Sequence, residues 1–350
     1  ITLAEAVGPF RQFVEAAKLP TVTTLRGLGN LPPEHPYLIG MLGMHGTRAA
    51  NMAVQNCDLL IVVGARFDDR ATGKLAEFAP NARVIHLDAD IAEISKLRQA
   101  DIPWYGDLHE TLSALSAARS NCAEWHRRCM QMKASSAPRY DAPGKGVYAP
   151  ALLKRMSEIA PPDTIVACDV GQHQMWVAQH WKFHHPRNHL TSGALGTMGF
   201  GLPAAIGAQF SCPDRPVVLV SGDGSIMMNI QELATVARCQ LPIKMILLDN
   251  STLGMVRQWQ ELFFDRNYSE IDLSDNPDFA ALCRVFRIPA IKLERREDTE
   301  AALRELLATP GPAMLHVVID ARANVWPLVP PNHSNATMLD EAETPHAIPA

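Results

Sequence analysis

The sequence predicts an α/β protein of two doubly wound domains, each built on a parallel sheet. Three observations carry this. Short apolar runs at residues 59–64, 83–87, 164–168, 217–220, 243–248 and 313–319 have the length and β-branched content of buried strands. Segments with apolar residues at helical spacing lie between them, and strands that alternate with helices build parallel sheets. Most runs end at glycine, aspartate or asparagine (Gly64, Asp88, Asp169, Gly222, Asp249–Asn250), at the sheet edge where open α/β folds receive ligands. A length of 350 residues suits two domains of ordinary size.

In chain order, residues 1–18 read as a helix with Ala6, Phe10, Phe13, Val14 and Ala17 on one face. A strand at 21–25 and a Pro-rich loop at 31–36 follow. Residues 40–47 (GMLGMHGT) form a glycine-spaced turn that opens a helix reaching about Gln55. The run 59–64 is a buried strand leading into Ala65, Arg66, Phe67, Asp68, Asp69 and Arg70. The strand 83–87 ends in Asp88-Ala89-Asp90, with a helix from about Ala92. These elements make a first domain over about 1–118. Residues 119–149 read as a linker, a polar helix followed by APRYDAPG (137–144), a composition that resists regular structure.

The second domain, 150–325, opens with a helix carrying Leu152, Leu153, Met156 and Ile159, then a strand at 164–168 that ends in the glycine turn DVGQHQ (169–174). A glycine-rich stretch, 193–207, leads into a helix of small residues. The strand 217–220 follows, then a tight turn at Gly222-Asp223-Gly224, where glycine also permits close approach of a ligand. A helix with Ile226, Ile230, Leu233 and Val236/Ala237 on one face leads to the strand 243–248. Residues 255–264 read as a helix carrying Met255 and Trp259, 277–308 as two helices around a short connection, and 313–319 as the last strand. The tail, 326–350, reads as irregular. Ile1 is no initiator and no strand leads the first domain, which suggests a piece of a longer protein.

Composition narrows the function. A net charge of −5 offers no electrostatic basis for binding nucleic acid. No apolar run approaches the ~20 residues that span a bilayer, and no signal peptide is present. Seven scattered cysteines without a C-x-x-C read as reduced, mostly buried thiols of a cytoplasmic protein, not as a disulfide framework or zinc site.

The unit from 217 to 250 is a strand–helix–strand crossover, which is right-handed and sets its strands parallel. Asp223 and Asn250 then sit at two strand tips on one edge. A carboxylate with an amide oxygen is a hard, low-charge donor set that suits Mg²⁺, which fills its octahedron with waters and phosphate oxygens. The glycines and the N–H groups of the following turn suit the phosphate. The plainer reading is a βαβ turn with a capping aspartate. In the first domain, glycine turns and Asp88 at strand ends fit a nucleotide-binding edge or a plain α/β domain equally. Arg66 and Arg70 either clamp phosphate or carboxylate or pair with Asp68 and Asp69.

The GDG triplet and Asn250, with 225–248 between them, resemble the signature of thiamine-diphosphate enzymes. LGMHGTRAAN, VGARFDDRATGKL, DVGQHQMW, GALGTMGFGLPAAIGAQ, SGDGSIMMNIQEL, LLDNSTLGMVRQWQELFF and NVWPLVPP, together and in this order, resemble the catalytic large subunit of acetohydroxyacid synthase (acetolactate synthase), nearest the bacterial isozyme II type. The likeness covers nearly the whole chain. It implies the family's second (FAD-binding) and third (thiamine-diphosphate-binding) α/β domains. The family decarboxylates pyruvate and adds the two-carbon unit to pyruvate or 2-oxobutyrate, for branched-chain amino acid synthesis.

By that resemblance Asp223, Asn250 and the Thr252 carbonyl hold Mg²⁺. Gly171, Gln172, His173, Gly196, Gly222, Gly224 and Ser225 surround the diphosphate. Met198 supports the bent cofactor, and Val170 lines the reaction centre. FAD lies against Leu42, Gly43, Met44, His45, Gly46, Thr47, Gly64, Ala65, Arg66, Asp68, Asp88 and Asp107, without net redox in the main reaction. Arg70 binds the second substrate's carboxylate, Trp259 shapes the pocket for 2-oxobutyrate, and Met44 and Met255 form its apolar wall. A tryptophan against a small pocket can discriminate one methylene by about 1–3 kcal/mol. The plainer readings are core packing for Trp259, Met255 and Met198, and a satisfied strand-end histidine for His173.

The resemblance also implies a homodimer or tetramer and a small regulatory subunit. The family's N-terminal domain, with the glutamate that activates the cofactor from the neighbouring subunit, has no counterpart in these residues. The chain alone is therefore expected to be inactive. Two alternatives are another flavin-containing thiamine-diphosphate enzyme, of pyruvate oxidase or glyoxylate carboligase type, and a truncated binding module without catalysis.

Overall fold

A computed structural model describes residues 1–142 and 145–341. The chain divides into two compact units: Ile1–Pro138, His184–Pro186 and the described part of Trp326–Thr344 form one, and Arg139–Phe183 with Arg187–Val325 the other.

The first unit contains helices α1 (Val7–Ala17), α2 (Arg48–Gln55), α3 (Asp69–Thr72), α4 (Leu108–Leu115) and α5 (Ala123–Ser135). Its strands are β1 (Thr21–Thr23), β2 (Leu38–Met41), β3 (Leu59–Val63), β4 (Arg83–Asp88) and β5 (Ile102–Tyr105). β1 pairs with β2, and β3, β4 and β5 form a second sheet in that order; every pairing is parallel. The apolar face of α1 buries Phe10, Phe13, Val14 and Ala17 with Leu87, Leu108 and Leu112. Within the stretch read as a linker, α5 sets Cys129 against Ala49, Ala50 and Ala53 of α2, with Trp125 and Met132 beside it.

Several expectations need correction here. The first helix starts at Val7, and the strand expected at 21–25 stops at Thr23, followed by a 3₁₀ turn at Leu25–Gly27. No helix starts at Ala92: Asp88 accepts the Asp90 N–H at 2.9 Å, Asp90 accepts the Ala92 N–H at 2.9 Å, and Ser95 takes φ +59°. Such aspartate turns compete with helix. The run 59–64 is not a fully buried strand, for Val62 is buried while Leu59 is 47% exposed. β5 escaped the sequence reading because it is a short exposed edge strand, where Pro103 is tolerated.

The second unit contains α6 (Ala149–Ile159), β6 (Ile165–Cys168), α7 (Gln172–His180), β7 (His189–Thr191), α8 (Gly201–Ser211), β8 (Val217–Gly222), α9 (Asp223–Ile226), α10 (Leu233–Arg238), β9 (Lys244–Asp249), α11 (Gly254–Phe263), α12 (Phe279–Val285), β10 (Ala290–Leu293), α13 (Thr299–Ala308) and β11 (Ala313–Val318). Its sheet runs β10-β11-β9-β8-β6-β7 and is parallel throughout. From β6 the chain passes outward to β7, then returns to the other side of β6 to lay down β8. The crevice between β6 and β8 is thus the topological switch point, where such sheets bind ligands.

The expected tight turn at 222–224 is not one. Gly222 has φ −101° and α9 starts directly at Asp223. These glycines answer close packing instead: a Cβ on Gly224 would lie 2.8 Å from Leu253 Cδ2. The single helix expected over 226–237 is broken into α9, a 3₁₀ turn at Ile230–Glu232 and α10. Asn229 leaves the helix to donate to the Gly199 carbonyl at 2.7 Å, while Ile226, Leu233 and Val236 keep the buried face. Of the tail, 326–341 is irregular apart from a 3₁₀ turn at Asn335–Thr337 and a bridge between Leu328 and Leu339. Pro143, Gly144 and 342–350, which fall in the expected linker and tail, lie outside the described residues.

Candidate functional site

Three strand tips of the second unit supply one cavity of about 80 Å³. β6 delivers Val170, Gly171, Gln172 and His173, β8 delivers Gly222, Asp223, Gly224 and Ser225, and β9 delivers Asn250 and Thr252; Met198 and Met255 also line it. Asn250 Oδ1 accepts the Thr252 N–H at 3.3 Å, and the same N–H lies against the Asp223 carboxyl. Both side chains therefore line one cavity beside Thr252. The loop is shaped by Ser251, whose φ of +53° is held by a 2.9 Å bond from its N–H to Asp249 Oδ1.

Burial, and then the charge of Asp249, push the Asp223 carboxyl up to about 7. Burial pushes Asp249 up as well, but His316 Nε2 at 2.7 Å and the Ser251 N–H outweigh it and hold Asp249 below the usual carboxylate range. Of the two neighbours, Asp249 keeps the charge. Asp223 Oδ2 is buried without a donor, the Asp223 carboxyl instead meeting that of Asp249, and His173 Nε2 is buried without a hydrogen-bond partner. An orphaned carboxylate oxygen beside an amide oxygen fits a hard divalent cation, which would supply the missing counter-charge. The orphaned imidazole nitrogen and the crowded glycines around it fit an anionic group on that cation. Among the described residues no cluster of three histidine, cysteine or acidic side chains forms another metal site.

Burial pushes the His173 imidazole down to about 3, so it stands neutral. Its ring packs against Gly171 (φ +150°) and Gly222: a Cβ on Gly222 would sit 2.8 Å from Nδ1, and one on Gly171 would sit 2.9 Å from Cε1. Ser225 Oγ is 3.2 Å from both the Gly222 N–H and Ser221 Oγ. Met198 is half-buried, not core, and Gly196 (φ +63°) has Val170 as its neighbour. Met255 and Trp259 are also half-buried. They line an apolar cavity of about 420 Å³ with Val256, Gln260, Phe264 and Asn267, while α11 buries Arg257, Gln258 and Leu262 on its other face. Core packing therefore does not describe Trp259, whose ring meets Phe263 edge-on at 5.6 Å.

The remaining site residues lie in the first unit. Leu42, Gly43, Met44, His45, Gly46 and Thr47 join β2 to α2. Asn51 pins the loop by accepting the Gly43 N–H at 2.9 Å and donating to the Gly43 carbonyl at 3.0 Å. Thr47 caps α2 by accepting the Ala50 N–H. Met44 N–H donates to the Arg70 carbonyl at 2.8 Å, and the Arg70 guanidinium lies 3.5 Å from Met44 Sδ, so these two are neighbours. Arg70 also pairs with Asp69 at 3.4 Å, and Arg66 with Asp68 at 3.9 Å, all at the surface. Gly64 ends β3, and His86 Nε2 is 3.1 Å from the Ala65 carbonyl. Asp88 holds its aspartate turn, and Asp107 is spent capping α4 through the Glu110 N–H at 2.9 Å. Burial pushes His45 down to about 4.

Sequence reasoning passed over three residues behind the site. Asp169, buried at the end of β6, accepts the Gly199 N–H at 2.9 Å and the Ser221 hydroxyl at 3.1 Å, anchoring the loop that carries Met198. His316 holds Asp249. Gln258 binds Gln172. The signal existed for two of them: a histidine inside the apolar run AMLHVV, and a polar residue on the inner face of a helix.

The central-domain model of the thiamine pyrophosphate enzymes matches residues 1–115, and their C-terminal, TPP-binding domain model matches 169–317. The chain is 55% identical over 341 residues to the acetolactate synthase isozyme 2 large subunit of Escherichia coli (strain K12), covering 97% of this chain and 62% of that protein. It is 47% identical over 337 residues to the acetolactate synthase large subunit of Parasynechococcus marenigrum (strain WH8102), covering 94% and 54%. It is 42% identical over 331 residues to the probable acetolactate synthase large subunit of Methanocaldococcus jannaschii, covering 91% and 56%. The chain thus spans somewhat more than half the length of these relatives.

Proposed function

The chain belongs to the thiamine pyrophosphate enzymes, with acetolactate synthase large subunits as its homologues, and from that premise we propose that it is the cofactor-binding portion of an acetolactate synthase. The observation that carries this is the buried Asp223 carboxyl, which lines one cavity with Asn250 and Thr252 and faces the charge of Asp249 with no cation between them to offset it. Asp223, Asn250 and the Thr252 carbonyl hold Mg²⁺. Gly171, Gln172, His173, Gly196, Gly222, Gly224 and Ser225 enclose the diphosphate, the glycines at 171 and 222 leaving room for the His173 ring. Met198 supports the thiamine rings, and Val170 lines the reacting centre. When bound, thiamine diphosphate supplies the electron sink that lets a 2-oxo acid lose its carboxylate. The protein's part is to orient the acceptor and exclude water.

The acceptor is a second 2-oxo acid, pyruvate or 2-oxobutyrate. Arg70 takes its carboxylate once released from Asp69, with Met44 beside the guanidinium, and in the second unit Met255 and Trp259 line an apolar cavity that suits an alkyl group. FAD lies along the strand ends of the first unit, against residues 42–47, Gly64–Arg66, Asp68, Asp88 and Asp107. The working protein is a homo-oligomer of large subunits with a small regulatory subunit, located in the cytoplasm. No helix among the described residues is long and apolar enough to cross a membrane.

Calorimetric titration with thiamine diphosphate, with and without Mg²⁺, tests the reading alongside a product assay on pyruvate plus 2-oxobutyrate. Binding that requires the cation, without turnover by this chain alone, is the expected result. Absence of binding with Mg²⁺ present overturns it.

A further inference from the structure

A metal-ligating asparagine carries an ambiguity that an aspartate does not. Its amide can present either oxygen or nitrogen, and only the oxygen can bind a cation. Here the choice is made through a buried chain of amides. Asn250 Nδ2 donates to Gln172 Oε1 at 3.2 Å. Gln172 must present its oxygen there, because its Nε2 is committed to two acceptors, Gln258 Oε1 at 2.9 Å and the Ala323 carbonyl at 2.8 Å. Gln258 cannot flip either. Its Oε1 accepts the Val325 N–H at 2.9 Å and its Nε2 donates to the Val325 carbonyl at 3.0 Å, a two-bond pairing with one residue's backbone. Backbone polarity is fixed, so the orientation set at Val325 is handed on through Gln258 and Gln172 to Asn250, whose Oδ1 the Thr252 N–H also holds from the other side of the amide at 3.3 Å.

All three amide side chains are buried, Gln258 completely. No water competes for these bonds, and each misplaced group would remain unpaired. Gly254 leaves the room: a Cβ there would overlap Gln172 Oε1 and lie 2.6 Å from Asn250 Nδ2. We propose that Gln258 is a positioning residue which, through Gln172, turns the Asn250 oxygen toward the cation, although it touches neither metal nor cofactor. The side-chain amide of Gln172 is accordingly an orienting group, not a ligand of the diphosphate. This rests on the cation site proposed above.

The test is Mn²⁺ affinity, read by the electron paramagnetic resonance of free Mn²⁺ with thiamine diphosphate in excess, beside the unfolding midpoint of each metal-free variant. Gln258→Met removes the relay and weakens Mn²⁺ binding about tenfold, the usual scale for a residue behind a ligand. Gln258→Glu, read at a pH where its carboxyl is protonated and can donate to the Val325 carbonyl as the amide does, still accepts from Gln172 and weakens binding less than Gln258→Met. Gly254→Ala displaces Gln172 and Asn250 together and weakens binding directly, which checks the crowding and not the relay; Gln258→Leu repeats the relay test if Gln258→Met fails to fold. Equal affinities for wild type and Gln258→Met, or an equal loss in Gln258→Met and Gln258→Glu, overturn the inference. A wild-type chain that binds no Mn²⁺ overturns the cation site itself. Binding lost in Asn250→Ala but unchanged in Gln258→Met removes the relay alone.

Discussion

Replacing Gly222 by alanine tests the packing on which the candidate site depends. Its φ of −101° and ψ of 161° are open to any residue, so the substitution adds no backbone strain and its cost is steric. The new Cβ would lie 2.8 Å from His173 Nδ1 and 2.9 Å from Cε1, where ordinary contact begins near 3.4 Å. The ring must retreat by roughly half an ångström, but Gly171 also crowds Nδ1 and Cε1 and the residue is only 5% exposed. Overpacking of this kind costs about 1–3 kcal/mol. A loss of about 2 kcal/mol lowers the melting temperature of a domain this size by roughly 4–8 °C. The assay is a double-mutant cycle in urea with His173→Ala. Once the ring is gone, Gly222→Ala costs under about 0.5 kcal/mol, leaving a coupling of about 1.5 kcal/mol or more. Additive costs, or a single mutant as stable as wild type, would refute the reasoning.

Three other outcomes follow from the same geometry. Asp223→Asn weakens Mg²⁺ binding by roughly a hundredfold, since it removes the charged ligand; calorimetry reads this. The same change raises the metal-free unfolding midpoint at pH 8, because burial and Asp249 hold that carboxyl up to about 7. Trp259→Ala costs about 1 kcal/mol, the scale of its edge contact with Phe263; a loss of the ~3–5 kcal/mol typical of a buried aromatic would return it to the core. Finally, burial holds His45 and His180 neutral, each down to about 4. Unfolded imidazoles take their protons near 6.5, so stability is intact above that pH and falls toward pH 4, by at most about 1.4 kcal/mol per pH per histidine. His180→Gln flattens the profile measured by denaturation from pH 7.5 to 5, and an unchanged slope contradicts the assignment.

The long apolar runs were legible because burial on both faces of a parallel sheet demands them, and β6, β8, β9 and β11 formed within two residues of expectation. The site was legible for the same reason: strands so placed bring Asp223 and Asn250 to one edge whatever the intervening helix does. That helix was the weak point. Ile226, Leu233 and Val236 keep helical spacing, but the bond from Asn229 to Gly199 links residues 30 apart and cannot be read locally. β2, β5, β7 and β10 were too short to carry a period. Gly222 is read from the sequence as serving both a tight turn and a close approach, and only closeness holds, toward His173, since a sequence marks a glycine without saying which it serves. Gln258, Asp169 and His316 act through partners far along the chain, and their types alone say little.

The most direct measurement is a crystal structure of the chain grown with Mn²⁺ and thiamine diphosphate, read in anomalous difference density. One peak is expected, with the Asp223 carboxylate, Asn250 Oδ1 and the Thr252 carbonyl all roughly 2.1–2.2 Å away. A peak elsewhere, or bound thiamine diphosphate with the side chains of Asp223 and Asn250 turned from the metal, would contradict the account.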